Sequence, residues 1–304
     1  MRIVLTGQAA FAGQVLEALL KRGDEVVGVF TSPQPGPAGP LKEAAEKAGV
    51  PLFQPGRMRD PGVYDQFCSL NADLGVMAFV TDIVPGNILR CPRLGTIQYH
   101  PSLLPRHRGA SAMHWAVING EARTGLTIFW ADEGIDTGPV LLQKEADISP
   151  DDTMGSLYFN KLFPLGVEAM VEAVGLVEGS KAPALPQDHS QATYEPPCGE
   201  EHARVDWSRP LSQVYNLIRG TNPQPGATTS LRGQKLKLFD AVSQPGGSAR
   251  DCPGEVTVVT EDGFSVTCPG GAVLVKRVQP AGSAKVAAGQ WAREAGLRAG
   301  ERLE

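Results

Sequence analysis

The chain lacks any excess of positive charge. Its 28 Lys and Arg stand against 33 Asp and Glu, a formal net charge of −5 over 304 residues. A protein that grips nucleic acid by its phosphates spreads a basic field over part of its surface. The balance therefore argues against a DNA partner and disfavours tRNA, although a local basic patch would not register in a whole-chain count. Cysteine is sparse and unpatterned: Cys68, Cys91, Cys198, Cys252 and Cys268 include no Cys-x-x-Cys pair, so neither a zinc site nor a disulfide framework is expected. Uninterrupted apolar runs of membrane-spanning length are missing, and residues 2–6 read as a strand rather than a leader. No membrane partner is expected, and the cytoplasm is the default location. There are no internal repeats and no low-complexity tracts.

What is present describes an ordinary globular protein of one or two domains, with 42% hydrophobic and 20% charged residues. The 35 Gly and 25 Pro call for many tight loops. Arg2 to Thr6 reads as a buried parallel strand, and the apolar spacing from Phe11 to Arg22 predicts a helix ending at Gly23. Strands follow at 25–30, 74–80, 95–100 and 126–131, with short helices at 41–48 and 63–70 between them. This alternation predicts an α/β domain over residues 1–180, an open, mostly parallel sheet with helices on both faces. Residues 140–148 suit an edge strand. Thr153 to Val177 should be one long helix, capped by Asp151 or Asp152 and kinked at Pro164-Leu165-Gly166. Residues 181–204, rich in Pro and Gln and without periodicity, read as a linker. Beyond it, 205–304 holds a short helix at 211–219 and alternating segments at 226–239, 254–260, 263–267 and 272–277, a pattern for a small OB-like β-barrel or sandwich.

Chemistry concentrates in Gln98-Tyr99-His100-Pro101-Ser102-Leu103-Leu104-Pro105-Arg106-His107-Arg108-Gly109 and in Gly134-Ile135-Asp136-Thr137-Gly138. His100 closes a predicted strand and enters a loop in which Pro101 and Pro105 forbid regular helix. Thirty-six residues later, Asp136 sits on a glycine-flanked loop that also follows a strand. An imidazole and a carboxylate so placed form a candidate acid/base pair at the edge where open α/β sheets bind ligands. Such an aspartate can hold an imidazole in one tautomer and stabilise the imidazolium. Three other readings are weaker. His100, His107 and His114 recur every seven residues, but the two prolines keep the first two off a common helical face, so no metal site is expected. Ser102 lacks a Gly-x-Ser-x-Gly elbow, and its hydroxyl is better used on the loop backbone. Gly7 to Gly13 is not Gly-x-Gly-x-x-Gly, and it reads as a strand-to-helix turn that needs small residues. Arg106 and Arg108 are expected to hold the loop, with a chance for either to meet an anionic substrate.

These segments resemble the 10-formyltetrahydrofolate-using formyltransferase family. The resemblance also takes in Thr127 to Gly138, Leu141 to Glu145, Val205 to Pro210, Ile218 to Gly220 and Pro225 to Ala227, so nearly the whole chain is covered. The pattern is most similar to the hydrolase domain of 10-formyltetrahydrofolate dehydrogenases, and next to methionyl-tRNA formyltransferases. The resemblance implies a Rossmann-like formyl-transfer domain, an OB-like second domain, and 10-formyltetrahydrofolate as formyl donor without a metal. It maps the catalytic set onto Gln98, His100 and Asp136. It gives the folate to Asp82, Ile83 and Val84, to Ser102, Leu103, Leu104 and Pro105, and to the loop of Asp136. In that mechanism a protonated His100, steadied by Asp136, meets the negative oxygen of a tetrahedral intermediate.

Two departures bear on the acceptor. Position 98 is Gln where formyltransferases have Asn and the hydrolase domain has an apolar residue, which leaves both transfer and hydrolysis open. The stretch Thr31 to Pro40 is short and has no Lys or Arg, where the tRNA-using enzymes carry a longer basic loop. The expected activity is thus removal of the formyl group to water or to a small-molecule amine, with methionyl-tRNA as the alternative acceptor. No aldehyde-dehydrogenase domain follows residue 304, so a dehydrogenase outcome is not expected of this chain. A folate-binding protein without turnover is the non-enzymatic alternative, and the retention of both His100 and Asp136 argues against it.

Overall fold

The structure, a computed structural model, describes residues 1–33, 39–246 and 252–304. Most of the Pro/Gly stretch between Thr31 and Pro40 lies outside the described residues. The chain forms two compact units. The first comprises Met1–Gly109, Gly125–Ala146 and Asn160–Tyr194; the second comprises Ala110–Thr124, Asp147–Phe159 and Glu195–Glu304.

The first unit opens with β1 (Arg2–Gly7), α1 (Ala9–Arg22), β2 (Glu25–Phe30), α2 (Pro40–Ala48), β3 (Leu52–Phe53), α3 (Val63–Ser69), β4 (Leu74–Ala78), α4 (Gly86–Leu89) and β5 (Thr96–His100). β6 (Arg108–Gly109) is a two-residue strand, α5 (Ala112–Ile118) belongs to the second unit, and β7 (Arg123–Trp130) and β8 (Val140–Asp147) follow. The sheet order is β3-β2-β1-β4-β5-β7-β8. β1 is parallel to β2 and β4, β2 to β3, and β4 to β5, whereas β5 and β7 are antiparallel. The expected doubly wound sheet is thus present, with β8 at its edge. Alternation along β1 splits its residues between two cores. Ile3 and Leu5 pack with Phe11, Val15 and Leu19 of α1, while Val4 packs with Val63 and Phe67 of α3 and with Ile88 of α4. A β-carbon on Gly7 would lie 2.3 Å from the Ala78 carbonyl oxygen and 2.7 Å from Cβ of Ala12. The turn out of β1 needs its glycine on steric grounds, as expected.

The long helix departs from expectation in two ways. It consists of α6 (Met154–Leu157), a π-helical turn at Tyr158–Leu162, and α7 (Phe163–Glu178). Pro164 supplies no N–H to the preceding turn, and the helix widens there into the π-helical turn. The cap is Thr153, not Asp151 or Asp152. Its hydroxyl accepts the Ser156 amide at 3.0 Å, and the Ser156 hydroxyl accepts the Thr153 amide at 3.0 Å. Asp152 instead accepts from the Ser156 hydroxyl at 2.9 Å. The absence of any disulfide is a further expectation the structure corrects. Cys68, near the end of α3, is bonded to Cys91, just beyond α4, with 5.7 Å between their Cα atoms. The packing of α3 on α4 brings them together, and nothing in their spacing announces it.

The second unit contains β9 (Tyr194–Glu195) only in part, then α8 (Leu211–Gly220), β10 (Ala227–Leu231), β11 (Gln234–Pro245), β12 (Val256–Val259), β13 (Phe264–Cys268), β14 (Gly271–Pro280), β15 (Val286–Ala287) and α9 (Ala288–Glu294). Its sheet runs β10-β11-β14-β13-β12, with β15 on β14. The outer strands β10 and β12 are joined through the last residues of the chain. Ser230 and Glu304 exchange backbone hydrogen bonds of 2.8 and 2.9 Å, Val256 N donates to Glu301 O, and Leu303 N donates to Gly254 O. The seam closes the sheet on itself around Val214, Ile218, Leu238, Phe264 and Val275. Among the described residues no helix is long and apolar enough to cross a membrane.

Candidate active site

The site belongs to the first unit and begins with the register of β5. Ile97 and Tyr99 pack into the α1 and α7 core, so Gln98 and His100 project together from the opposite face. His100 is the last residue of the strand, opposite Thr127 of β7. The loop after it is tied down along its length. The Ser102 hydroxyl donates to Arg106 O at 2.6 Å, the backbone role expected of it. Buried Thr127 donates its hydroxyl to Ser102 O and accepts the Leu104 amide, and Gln143 on β8 donates to both Leu104 O and the Thr127 hydroxyl. Leu104 and Pro105 are joined by a cis peptide.

Asp136 is presented by the turn after β7. Asp132 shapes that turn by accepting the Gly134 amide and the Thr137 hydroxyl. A β-carbon on Gly138 would sit 1.8 Å from the Trp130 carbonyl oxygen, so only glycine closes the turn. Asp136 itself has a φ of +54°, an uncommon backbone conformation for an aspartate. The sequence places the acid and the base on separate loops, and the structure brings them together. Asp136 Oδ2 lies 3.4 Å from Nδ1 of His100 and accepts the Gly109 amide at 2.8 Å. His100 is 5% and Asp136 7% exposed, so water screens the pair little. Asp136 Oδ1 and the half-buried Gln98 amide take no hydrogen bond among the described residues.

The two ring nitrogens of His100 have different partners. Nε2 of His100 is 2.7 Å from the carbonyl oxygen of His107, which can only accept, so Nε2 carries a hydrogen. In the neutral ring Nδ1 then turns a lone pair toward the carboxylate. Burial holds the His100 pKa below its ordinary value, and the Asp136 charge offsets this only in part.

The other expected residues divide. Asp82 accepts the Met58 amide at 2.7 Å and the Ile83 amide at 2.9 Å, and it lines a shallow cleft with Thr6, Gln8, Phe30 and Phe79 at the C-terminal ends of β1, β2 and β4. Ile83 is 72% exposed and Val84 is buried. Glu133, on the turn that carries Asp136, packs on Gly86 at the start of α4 and pairs with Arg90 at 2.7 Å. Ser102 and Leu104 are buried within the loop, and Leu103 leans on Gly125. Of the two arginines, Arg106 is exposed and Arg108 is 1% exposed. Arg108 donates to Gln187, to the Tyr194 hydroxyl and to His189 Nδ1, so it holds the loop and does not meet a substrate. The sequence reading missed Gln187, Thr193 and Tyr194, all within the presumed linker. Thr193 bonds the backbone of both His107 and Arg108. Among the described residues no three His, Cys, Asp or Glu side chains gather to hold a metal ion.

The chain matches known proteins over most of its length. The formyl transferase family model matches residues 1–174, and the model of the formyl transferase C-terminal domain matches residues 198–296. The chain is 45% identical over 277 residues to the cytosolic 10-formyltetrahydrofolate dehydrogenase of Homo sapiens, covering 87% of this chain and 31% of that protein. It thus spans about a third of the length of that relative. It is 39% identical over 294 residues to the methionyl-tRNA formyltransferase of Trichlorobacter lovleyi, covering 94% and 91% of the two chains. Among solved structures, HypX from Aquifex aeolicus in complex with tetrahydrofolic acid superposes with a TM-score of 0.70 at 22% identity, over 97% of this chain and 47% of that one. The sugar 3N-formyl transferase WlaRD, with dTDP and 5-N-formyl-THF, gives 0.70 at 16% identity over 93% and 99%. These two likenesses show the shared fold. The chain belongs to the formyl transferase family.

Proposed function

From that membership we propose that this protein removes the formyl group of 10-formyltetrahydrofolate and passes it to water or to a small-molecule amine. The observation that carries the reading is the buried His100–Asp136 contact of 3.4 Å at the carboxyl edge of the sheet, in a chain 45% identical to a 10-formyltetrahydrofolate dehydrogenase. Ile83 and the Asp136 turn supply an apolar and a polar wall for a pteridine, with Asp82, Val84 and Ser102 to Pro105 as the loops that shape them. The division into a folate domain at 1–180, a connector at 181–204 and an OB-like domain at 205–304 is part of the same proposal.

In this mechanism the oxygen of water, or an amine nitrogen, bonds to the formyl carbon while the carbonyl electron pair moves onto its oxygen. The resulting oxyanion takes hydrogen bonds from the Gln98 amide and from Nε2–H of His100, which must turn from the His107 carbonyl to reach it. Asp136 Oδ1, which takes no hydrogen bond among the described residues, receives the proton of the attacking group and returns it to the departing folate nitrogen. Collapse breaks the carbon–nitrogen bond, giving tetrahydrofolate with formate or a formylated amine.

A second reading, formyl transfer to methionyl-tRNA, has one observation in its favour: the chain covers 91% of the Trichlorobacter lovleyi formyltransferase. The net charge of −5 weighs against it. One assay separates the two. The protein is given 10-formyltetrahydrofolate alone, then with candidate amines, then with charged initiator tRNA, while tetrahydrofolate release is followed. Release without acceptor supports hydrolysis, release only with tRNA overturns the first reading, and no release under any condition overturns both.

A further inference from the structure

We infer that Gln187, on the Pro-rich segment beyond α7, is a positioning residue that fixes Asp136 against His100 by tying their two loops together. The inference rests on the function proposed above and adds a residue to its machinery.

Gln187 is 7% exposed, and its amide is used in full. Nε2 donates to the carbonyl oxygens of Asp136 at 2.9 Å and Gly138 at 2.7 Å. Oε1 accepts from Nε and Nη2 of Arg108 at 3.2 and 2.7 Å. Because a guanidinium only donates, the oxygen must face Arg108 and the nitrogen must face the Asp136 turn, so the amide has one possible orientation. Arg108 directly precedes Gly109, whose amide donates to Asp136 Oδ2. The Asp136 turn is thus gripped twice, at its backbone carbonyls by Gln187 and at its carboxylate by Gly109, and both grips lead back to the His100 loop. The grip matters for two reasons. Asp136 occupies the left-handed region at φ +54°, which persists only where surrounding contacts enforce it. The 3.4 Å separation from His100 also leaves little room, since a further ångström of drift ends the contact.

The role predicts an effect on turnover without an equal effect on folate binding. Gln187→Met removes both donors and the acceptor at nearly constant volume. Gln187→Glu keeps one oxygen for Arg108 but sets the other against the Asp136 and Gly138 carbonyls. Both variants should lower kcat for tetrahydrofolate release about 10²-fold, with KM for 10-formyltetrahydrofolate and Kd for tetrahydrofolate within about threefold of wild type. Two spectroscopic readouts need no catalysis. Hydrogen exchange at the Gly109 amide should accelerate while the core of the sheet stays protected. The His100 imidazole, assigned by its loss in His100→Gln, should titrate at lower pH by NMR. The titratable groups facing it are Asp136 and His107, and of these only the Asp136 charge favours its protonation.

Wild-type kcat and an unmoved His100 titration in both variants overturn the inference. So does a loss of folate affinity in step with kcat together with fold-wide loss of protection, which marks Gln187 as structural only. Failure of both variants to fold assigns it to the fold and likewise overturns it. If the wild-type protein releases no tetrahydrofolate, the proposed function fails, while Gly109 exchange and the His100 titration still decide the role of Gln187.

Discussion

The Asp136 carboxylate faces Nδ1 of His100 across 3.4 Å, while the opposite nitrogen of the same ring is engaged by the His107 carbonyl at 2.7 Å. The His107 carbonyl therefore holds the ring at Nε2, and the carboxylate faces its other nitrogen. A single proton on the edge between imidazole and carboxylate decides whether that contact is attractive. A chain that buries such a pair has a group able to accept a proton from an attacking nucleophile and a neighbour able to stabilise the resulting charge.

Loss of either partner should remove most of the turnover. His100→Ala and Asp136→Ala are each expected to lower the rate of tetrahydrofolate release by about 10²- to 10⁴-fold, the range of a positioned acid or base, with far-ultraviolet circular dichroism unchanged. A near-wild-type rate in either variant removes that residue from the reaction.

Gln98 shares one face of β5 with His100, and its amide takes no internal hydrogen bond among the described residues. Gln98→Asn shortens the arm by one methylene and moves the donor. The ratio of formate to formylated amine, measured with a competing amine, should change. A constant ratio would show that position 98 does not divide water from amine.

The buried imidazole also makes stability depend on pH. His100 binds a proton less readily folded than unfolded, and His114 is shifted the same way by burial. Below about pH 6.5 the unfolded chain therefore takes up protons that the folded chain refuses. The slope of unfolding free energy with pH is positive there, so stability falls as the solution is acidified. Urea titrations between pH 7.5 and 5.5 should show this fall, and His100→Asn should make it shallower. An identical slope in the variant would contradict the assignment.

Thr127 is fully buried and serves Ser102, Leu104 and Gln143 with one hydroxyl. Thr127→Val keeps the shape and leaves the Leu104 amide without its acceptor, at a cost of about 1–3 kcal/mol for the stranded group. Denaturant unfolding measures the loss, and kcat should drop with it because the His100 loop is released. A change under about 0.5 kcal/mol, the scatter of neutral substitutions, would mean the loop has other anchors.

Much of this arrangement was legible because it follows from local pattern. Period-two alternation separated Gln98 and His100 from Ile97 and Tyr99, and Pro101 and Pro105 marked the loop as irregular. Glycine flanks identified the Asp136 turn, where Gly138 turns out to be a steric requirement. What escaped is set by contacts distant in sequence. Gln187 lies 79 residues from Arg108 and 51 from Asp136, in a stretch whose composition resembles a linker. The cap at Thr153 was missed because Asp151 and Asp152 are equally good caps by type, and only the Ser156 side chain decides among them. The Cys68–Cys91 bond depends on how α3 meets α4, and the lowered pKa of His100 depends on burial, neither of which periodicity reveals.

The seam formed by Glu301, Leu303 and Glu304 has a practical side. These residues occupy the hydrogen-bonding rims of two strands at once. Shortening the chain at Gly300 would strip a neighbour from each, baring two ready templates for cross-strand addition by other molecules. Such a truncated protein should be prone to self-association rather than simply shorter, so an affinity handle is better appended than exchanged for those residues.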